Sequence, residues 1–242
     1  MSHRVVLMDA KPAPRLGDGG EPLDLRNINA QAFGEITHHC RSQSLRLYHL
    51  TVVSLEGIEA LRTVTELSLE WATKVVSLAP VFRMGWLRRL TVIDLPRLVD
   101  LEGIEALATL TGLRAGGGMW KAMRLPSARP LAGLRSLKRL ELEQIRFADD
   151  DIRVLAELTR LRYLRLSNQF ERAQVAFLAK RLNPRLETPL TASIEASLGC
   201  TRCGATALYM FTGRRMPFLC KSCDRARFEK LTAEFERLVE VS

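Results

Sequence analysis

No uninterrupted apolar run in this 242-residue chain approaches the roughly 20 residues that a membrane-spanning helix needs. The N-terminal residues hold only Val5-Val6-Leu7-Met8, too short for the apolar core of an export signal, so a cytosolic location is expected. There thiols stay reduced, and clustered cysteines point to a metal before a disulfide. A phosphate-binding loop is missing as well, because Gly116-Gly117-Gly118 lacks the spaced Gly-Lys-Ser/Thr that cradles phosphates. His38, His39 and Cys40 put imidazole and thiol side by side, but neighbours in sequence do not converge, and no acidic orienter or oxyanion motif accompanies them. With no base, nucleophile and stabiliser to nominate together, the chain is not expected to be an enzyme.

What is present is repetition. The octapeptide SLEGIEAL at residues 54–61 returns as DLEGIEAL at 100–107. Between and beyond these copies run short alternating segments: Leu45-Arg46-Leu47, Leu67-Ser68-Leu69, Leu90-Thr91-Val92, Leu113-Arg114-Ala115, Leu140-Glu141-Leu142 and Leu164-Arg165-Leu166. Their spacing of 22 to 24 residues, with one longer step before Leu140, is the period of a leucine-rich repeat. In such a segment two apolar side chains point to one face and the residue between them to the other. A single strand cannot hide its apolar face, but about six stacked in parallel bury a continuous ladder. The return segments carry apolar residues at triplet spacing, as in Leu55, Ile58, Leu61 and Val64, which suits short 3₁₀ turns on the convex side.

Residues 45–186 resemble the short bacterial leucine-rich repeats of the internalin type. That resemblance implies an α/β solenoid with parallel strands on its concave face. The family places Asn three residues after the second strand leucine; here those positions are Leu50, Ala72, Leu95, Gly118, Ile145 and Gln169, so backbone groups in these turns must find other partners. The expected organisation is an N-terminal cap over residues 1–43, the solenoid over 44–186, a linker over 187–199 with a short helix at 191–198, and a second module over 200–242. Within the cap, a Pro- and Gly-rich loop is expected over residues 11–22 and a helix near 29–38.

The second module carries the strongest chemical signal. Cys200, Cys203, Cys220 and Cys223 form two Cys-x2-Cys knuckles separated by 16 residues, the pattern of a four-thiolate structural zinc site. Four protein ligands complete a tetrahedron and leave no water to activate. Between the knuckles two hairpin arms are expected, and after Cys223 a helix with Phe228, Leu231, Phe235 and Leu238 on one face. This order is that of a treble clef, and the stretch resembles a GATA-type finger in spacing, although the hairpin Trp is absent and Asp224 stands where Gly follows the last Cys. The resemblance raises nucleic-acid contact through Arg214, Arg215, Lys221, Arg225, Arg227 and Lys230, but Glu229, Glu234, Glu236 and Glu240 mix the charge of the helix.

The net charge of +9 lies mostly in the solenoid's second half and is compatible with an acidic protein partner or with nucleic acid. Four thiolates on a divalent zinc would lower it by about 2. Residues expected on the concave face are Arg46, Tyr48, His49, Glu70, Trp71, Asp94, Arg114, Glu141, Glu143 and Arg165, mixed charge with aromatic anchors suited to a protein partner. Trp120, in the irregular fourth repeat, joins them because insertions in solenoids gather on one face. The function expected is a protein-binding scaffold, with an immunity or antitoxin role implied by resemblance to bacterial repeat proteins and with nucleic-acid binding as the alternative.

Overall fold

The computed structural model describes residues 3–10, 16 and 20–242. Most of the loop expected over residues 11–22 therefore lies outside the described residues. In chain order the elements are β1 (Arg4–Leu7), β2 (Leu23–Ile28), α1 (Ala30–His39), β3 (Ser44–Leu50), β4 (Glu66–Glu70), α2 (Ala79–Phe82), β5 (Arg89–Ile93), β6 (Gly112–Gly116) and β7 (Met123–Leu125). They continue as β8 (Arg139–Glu143), β9 (Ile145–Phe147), β10 (Tyr163–Leu166), α3 (Arg172–Leu182), β11 (Ser193–Ala196), β12 (Leu208–Phe211), β13 (Phe218–Leu219) and α4 (Arg225–Val241). Strands β1 to β6, β8 and β10 form one sheet of eight, paired in parallel in that order. This is a leucine-rich-repeat solenoid. The register sets Asp24, Arg46, Ser68, Thr91, Arg114, Glu141 and Arg165 in one row across the concave face.

Eight strands exceed the expected six because the N-terminal segment supplies two. Leu23-Asp24-Leu25 is itself an alternating rung, with both leucines buried, and β1 adds to it with Val6 buried and Val5 and Leu7 exposed. The expected helix is α1, whose first turn is capped by Asn29 Oδ1 accepting from the Ala32 amide at 2.9 Å. Residues 191–198 hold a strand where a helix was expected: β11 pairs antiparallel with β12 and satisfies backbone groups that the finger hairpin would otherwise leave open at its edge. Among the described residues no helix is long and apolar enough to cross a membrane.

The octapeptide has a physical reading. Gly57 and Gly103 take φ of 93° and 88° at the start of the 3₁₀ turns Ile58–Ala60 and Ile104–Ala106, a left-handed conformation that a Cβ penalises. At the opposite edge of the sheet the turns at the ends of β2, β3, β4, β5 and β8 are also left-handed, but not at glycine: Asn27, His49, Trp71, Asp94 and Gln144 have φ between 48° and 61°. Their backbone partners lie in the next repeat, as in Trp71 N–H to Ile93 O and Asp94 N–H to Gly116 O, each 3.0 Å. The residues that follow, Leu50, Ala72, Leu95 and Ile145, are fully buried. An apolar ladder with inter-turn backbone bonds thus stands where the internalin pattern has asparagines.

Repeat four departs by an insertion after β6. A Cβ on Gly116 would lie 2.0 Å from the Glu143 carbonyl oxygen, and one on Gly117 2.2 Å from that of Lys121, so the chain passes here at a distance only glycine permits. We expect Gly116→Ala to lower stability by about 2 kcal/mol or more, since backbone must move. Gly34→Ala, in α1 with open space around it, should raise stability by about 0.5 to 1 kcal/mol. Urea midpoints of the two variants check the contrast, and equal shifts would contradict it.

Candidate metal centre and concave binding face

Each Cys-x2-Cys turn is closed by backbone: Gly204 N–H donates to Cys200 O, and Asp224 N–H to Cys220 O, both at 2.9 Å. These turns bring the four sulfurs within 4.8 Å of one another. Cys200 and Cys223 lie 3.9 Å apart and Cys203 and Cys220 3.6 Å. Metal–sulfur bonds of about 2.3 Å put the sulfurs of a tetrahedron about 3.8 Å apart, so the cluster has the dimensions of a four-thiolate metal site. Its electrostatics are asymmetric. The amides of Arg202 and Cys203 pull the Cys200 thiol down to about 6, while the hydrogen bond with Cys203 and loss of hydration push Cys223 up to about 12. A set of soft sulfur donors suits zinc, copper(I) or iron.

Asp224, unexpected beside the last ligand, has a structural task. Its carboxylate accepts from the Cys220 amide at 3.0 Å and pairs with Arg202. The Cys220 amide and Arg202 hold it below the usual carboxylate range. It therefore ties the second knuckle to the first.

The hairpin between the knuckles does not project into solvent. Its tip docks on the last rung of the solenoid: Asn168 Nδ2 donates to Phe211 O at 2.7 Å, the Gly213 amide to Asn168 Oδ1 at 3.0 Å, and the Arg214 amide to Phe170 O at 2.8 Å. Arg214 also reaches Gln169 O at 3.0 Å, Asp150 at 2.5 Å and Glu171 at 3.2 Å. Behind it α4 packs along α3. Phe235 is buried, Phe228 meets Phe211 edge-on at 5.0 Å, and Arg172, largely buried, donates to Leu231 O and faces Glu234 at 3.6 Å. Loss of hydration lowers the Arg172 pKa against the pull of Glu234. Of the six basic residues raised for nucleic acid, Arg214 is thus committed within the chain and Arg225 is bonded to Glu229 at 2.8 Å. Arg215, Lys221, Arg227 and Lys230 are exposed.

On the concave face the charged residues pair with one another. Arg46 makes a two-pronged bond to Glu70, at 2.9 and 2.6 Å, and donates to Asp24 at 2.7 Å, while Arg26 shares the same aspartate. Both arginines lie over the Tyr48 ring. Burial alone would raise the Asp24 pKa, but hydrogen bonds from Arg26 and Arg46 outweigh it and hold it low. Glu70 is held low in the same way by Arg46 and Ser68. At the far end Arg114 bonds Glu143 at 2.8 Å, Glu141 lies 4.0 Å from Arg114, and Arg165 lies 3.5 Å from Glu143. Between these two clusters the register places Ser68, Thr91, Ile93 and Gly116, a strip of small or uncharged residues.

Along the left-handed edge runs a second set. The His49 ring stacks on Trp71 at 4.1 Å and hydrogen-bonds Asn27 at 3.0 Å, and Tyr48 lies 5.7 Å from Trp71. Asp94 follows, and a Cβ on Gly118 would lie 2.7 Å from its carboxylate. From there the inserted loop carries Met119 and Trp120 into solvent, the indole 92% exposed. Of His38, His39 and Cys40, the histidines are exposed while Cys40 is buried, and burial raises its pKa. Asp24 and Arg26 were not singled out from the sequence, although Leu23-x-Leu25 stands 22 residues before Leu45 and carried the signal.

No protein-family model matches the chain. Nor does any curated protein. Among solved structures it is similar to an internalin C2 from Listeria monocytogenes, with 18% identity over 60% of this chain and 62% of that one, and a TM-score of 0.45. An internalin (inlF) from the same organism gives 20% identity over 65% and 51%, with a TM-score of 0.44. The chain thus spans less than two thirds of either. Overlap of this extent carries no functional argument, and the repeat fold rests on the eight-stranded register.

Two outcomes follow from this geometry. Purified protein should hold a single metal ion per chain, and Cys220→Ser should release it and loosen α4 while amides of β3 to β6 stay protected from hydrogen exchange. Unchanged metal content would contradict this. The acid limb of stability should also depend on Asp24. Because the folded-state pKa values of Asp24 and Glu70 are depressed, their contribution is complete above the ordinary values of 3.8 and 4.5 and is lost as pH falls through the lower folded values. Asp24→Asn should be less stable at neutral pH and decline less steeply on acidification. An unaltered slope in urea titrations would show the pair to be unlinked from folding.

Proposed function

We propose that this chain is a non-enzymatic scaffold that binds a protein partner along the concave face and its left-handed edge, with a structural zinc ion holding the C-terminal module. The observation that carries the reading is the edge itself. Trp71 precedes Asp94 along it and Asp94 meets Gly118 at the start of the inserted loop, which carries Trp120 almost wholly into solvent and whose base is fixed by the close passage at Gly116 and Gly117. Large aromatics on a rigid base bury area on binding at little conformational cost. The uncharged strip from Ser68 to Gly116 lies between the two ion-paired clusters and offers a partner a surface without charge to desolvate.

Arg46 and Glu70 fit this reading as the frame of the site, because each is already satisfied by the other. Zinc is the metal favoured by the spacing of the two Cys-x2-Cys knuckles, and a site closed by four thiolates supports a non-enzymatic role. Inhibition of a toxin domain is the form of partner binding suggested by the resemblance to bacterial repeat proteins. Nucleic-acid binding through the finger is disfavoured by the docking of its hairpin tip on the last rung, which withdraws that tip from the path of an extended polyanion.

The test is recovery of the tagged full chain from its own cells with and without nuclease, beside Trp120→Ala and Trp71→Gly. A stoichiometric protein should survive nuclease and be lost from both variants. Trp71→Gly relieves a left-handed residue as it removes the ring, so its stability should stay within about 1 kcal/mol of the parent. A partner retained by both variants, or one released by nuclease, would overturn the proposal.

A further inference from the structure

A cavity of about 260 Å³ opens where the inserted segment of repeat four meets the docked hairpin, with Arg124, Arg146, Arg214 and Asp150 on its walls and Leu125 and Phe147 beneath. It lies on the two-stranded sheet of β7 and β9, where Arg124 and Arg146 are direct cross-strand partners. Their neighbours Met123, Leu125, Ile145 and Phe147 are all buried, so alternation turns both guanidinium groups to the same open side. Like charges set opposite one another in a sheet repel. No carboxylate among the described residues offsets this pair: Arg146 donates to the neutral Gln169 Oε1 at 2.8 Å, and Arg124 has no ion pair.

The third arginine is brought from far along the chain and is held rigidly. Arg214 is fixed by Gln169 O, Asp150 and Glu171, so its charge is met by two carboxylates and the uncompensated charge of the cavity lies on Arg124 and Arg146. The two guanidinium charges without a carboxylate partner, of Arg124 and Arg146, are comparable in size to the charge of a phosphate monoester near neutral pH. Planar guanidinium forks suit its oxygens, and the apolar floor strengthens the attraction by lowering the local dielectric. The volume admits a phosphoryl group and a few further atoms. Asp149 and Asp151 adjoin the site in sequence and Glu171 is bonded to Arg214, so a continuous polyanion would meet carboxylates on leaving it.

We propose that Arg124 and Arg146, beside the ion-paired Arg214, form a binding site for a single phosphoryl group of the phosphate-monoester class. The site is distinct from the concave edge and from the metal centre, and it is created by the docking of the finger onto the repeats. Its three arginines come from the repeat-four insertion, the next repeat and the hairpin tip.

The test uses the full chain at fixed ionic strength, titrated by calorimetry with inorganic phosphate, with O-phosphoserine and with a single-stranded oligonucleotide, sodium chloride serving as the control anion. Phosphate and phosphoserine should each bind saturably at one site. Arg124→Gln, alone and combined with Arg146→Gln, should weaken that binding, the double variant by at least about tenfold, without changing the melting temperature in the absence of ligand. Arg153→Gln should leave affinity unaltered, because that arginine is bonded to Asp151 outside the cavity. Three results would overturn the proposal: no saturable phosphate binding, chloride competing as well as phosphate does, or a double variant with parental affinity. An oligonucleotide that binds more tightly per phosphate, with a steep loss on adding salt, would overturn it in favour of a nucleic-acid surface.

Discussion

Everything in this protein depends on the fact that a Leu-x-Leu rung cannot bury itself. Its two leucines face inward only when a parallel neighbour stands on each side, so the unit of stability is the contact between repeats and not the repeat. The consequence is visible at both ends of the sheet. At one, β1, β2 and α1 continue the ladder; at the other, the finger hairpin and α4 close over the last rung and α3. The metal-site module is thereby part of the core's boundary, and its aromatic cluster of Tyr209, Phe211 and Phe228 packs on the same side as that closure.

The turns carry the second constraint. A parallel stack must reverse direction after every strand within a few residues, and at the ends of β2 to β5 and β8 non-glycine residues do so in left-handed geometry, a conformation costing about 1 kcal/mol or more each. That cost is offset by buried apolar residues one position later and by backbone bonds to the next turn. It also aims His49, Trp71 and Asp94 along a common edge, so the feature that turns the chain is the one that displays the candidate contact residues.

The repeats were legible because periodicity reports local alternation directly. Leu45 to Leu166 fell into register at a nearly constant step, and the four cysteines declared themselves by spacing. The second rung, at Leu23 and Leu25, obeyed the same step but stood beside a Pro- and Gly-rich stretch that masked it. β11 was not legible, since Ser193 to Ala196 become a strand only by pairing with β12, a partner defined by the fold. The mutual commitment of Arg46, Asp24 and Glu70 is likewise a property of register, and the convergence of Arg124 and Arg214 joins residues 90 positions apart.

The docked hairpin has a consequence for how such a chain can change in length. Internal rungs present the same two faces to their neighbours, so a duplicated copy between β3 and β6 would meet surfaces it already fits. The last rung is different: its Asn168, Gln169 and Phe170 hold the hairpin tip, and Arg172 holds α4. A copy added after β10 would have to reproduce those residues or lose its lid. Growth by duplication is thus open in the middle of the solenoid and barred at its C-terminal end.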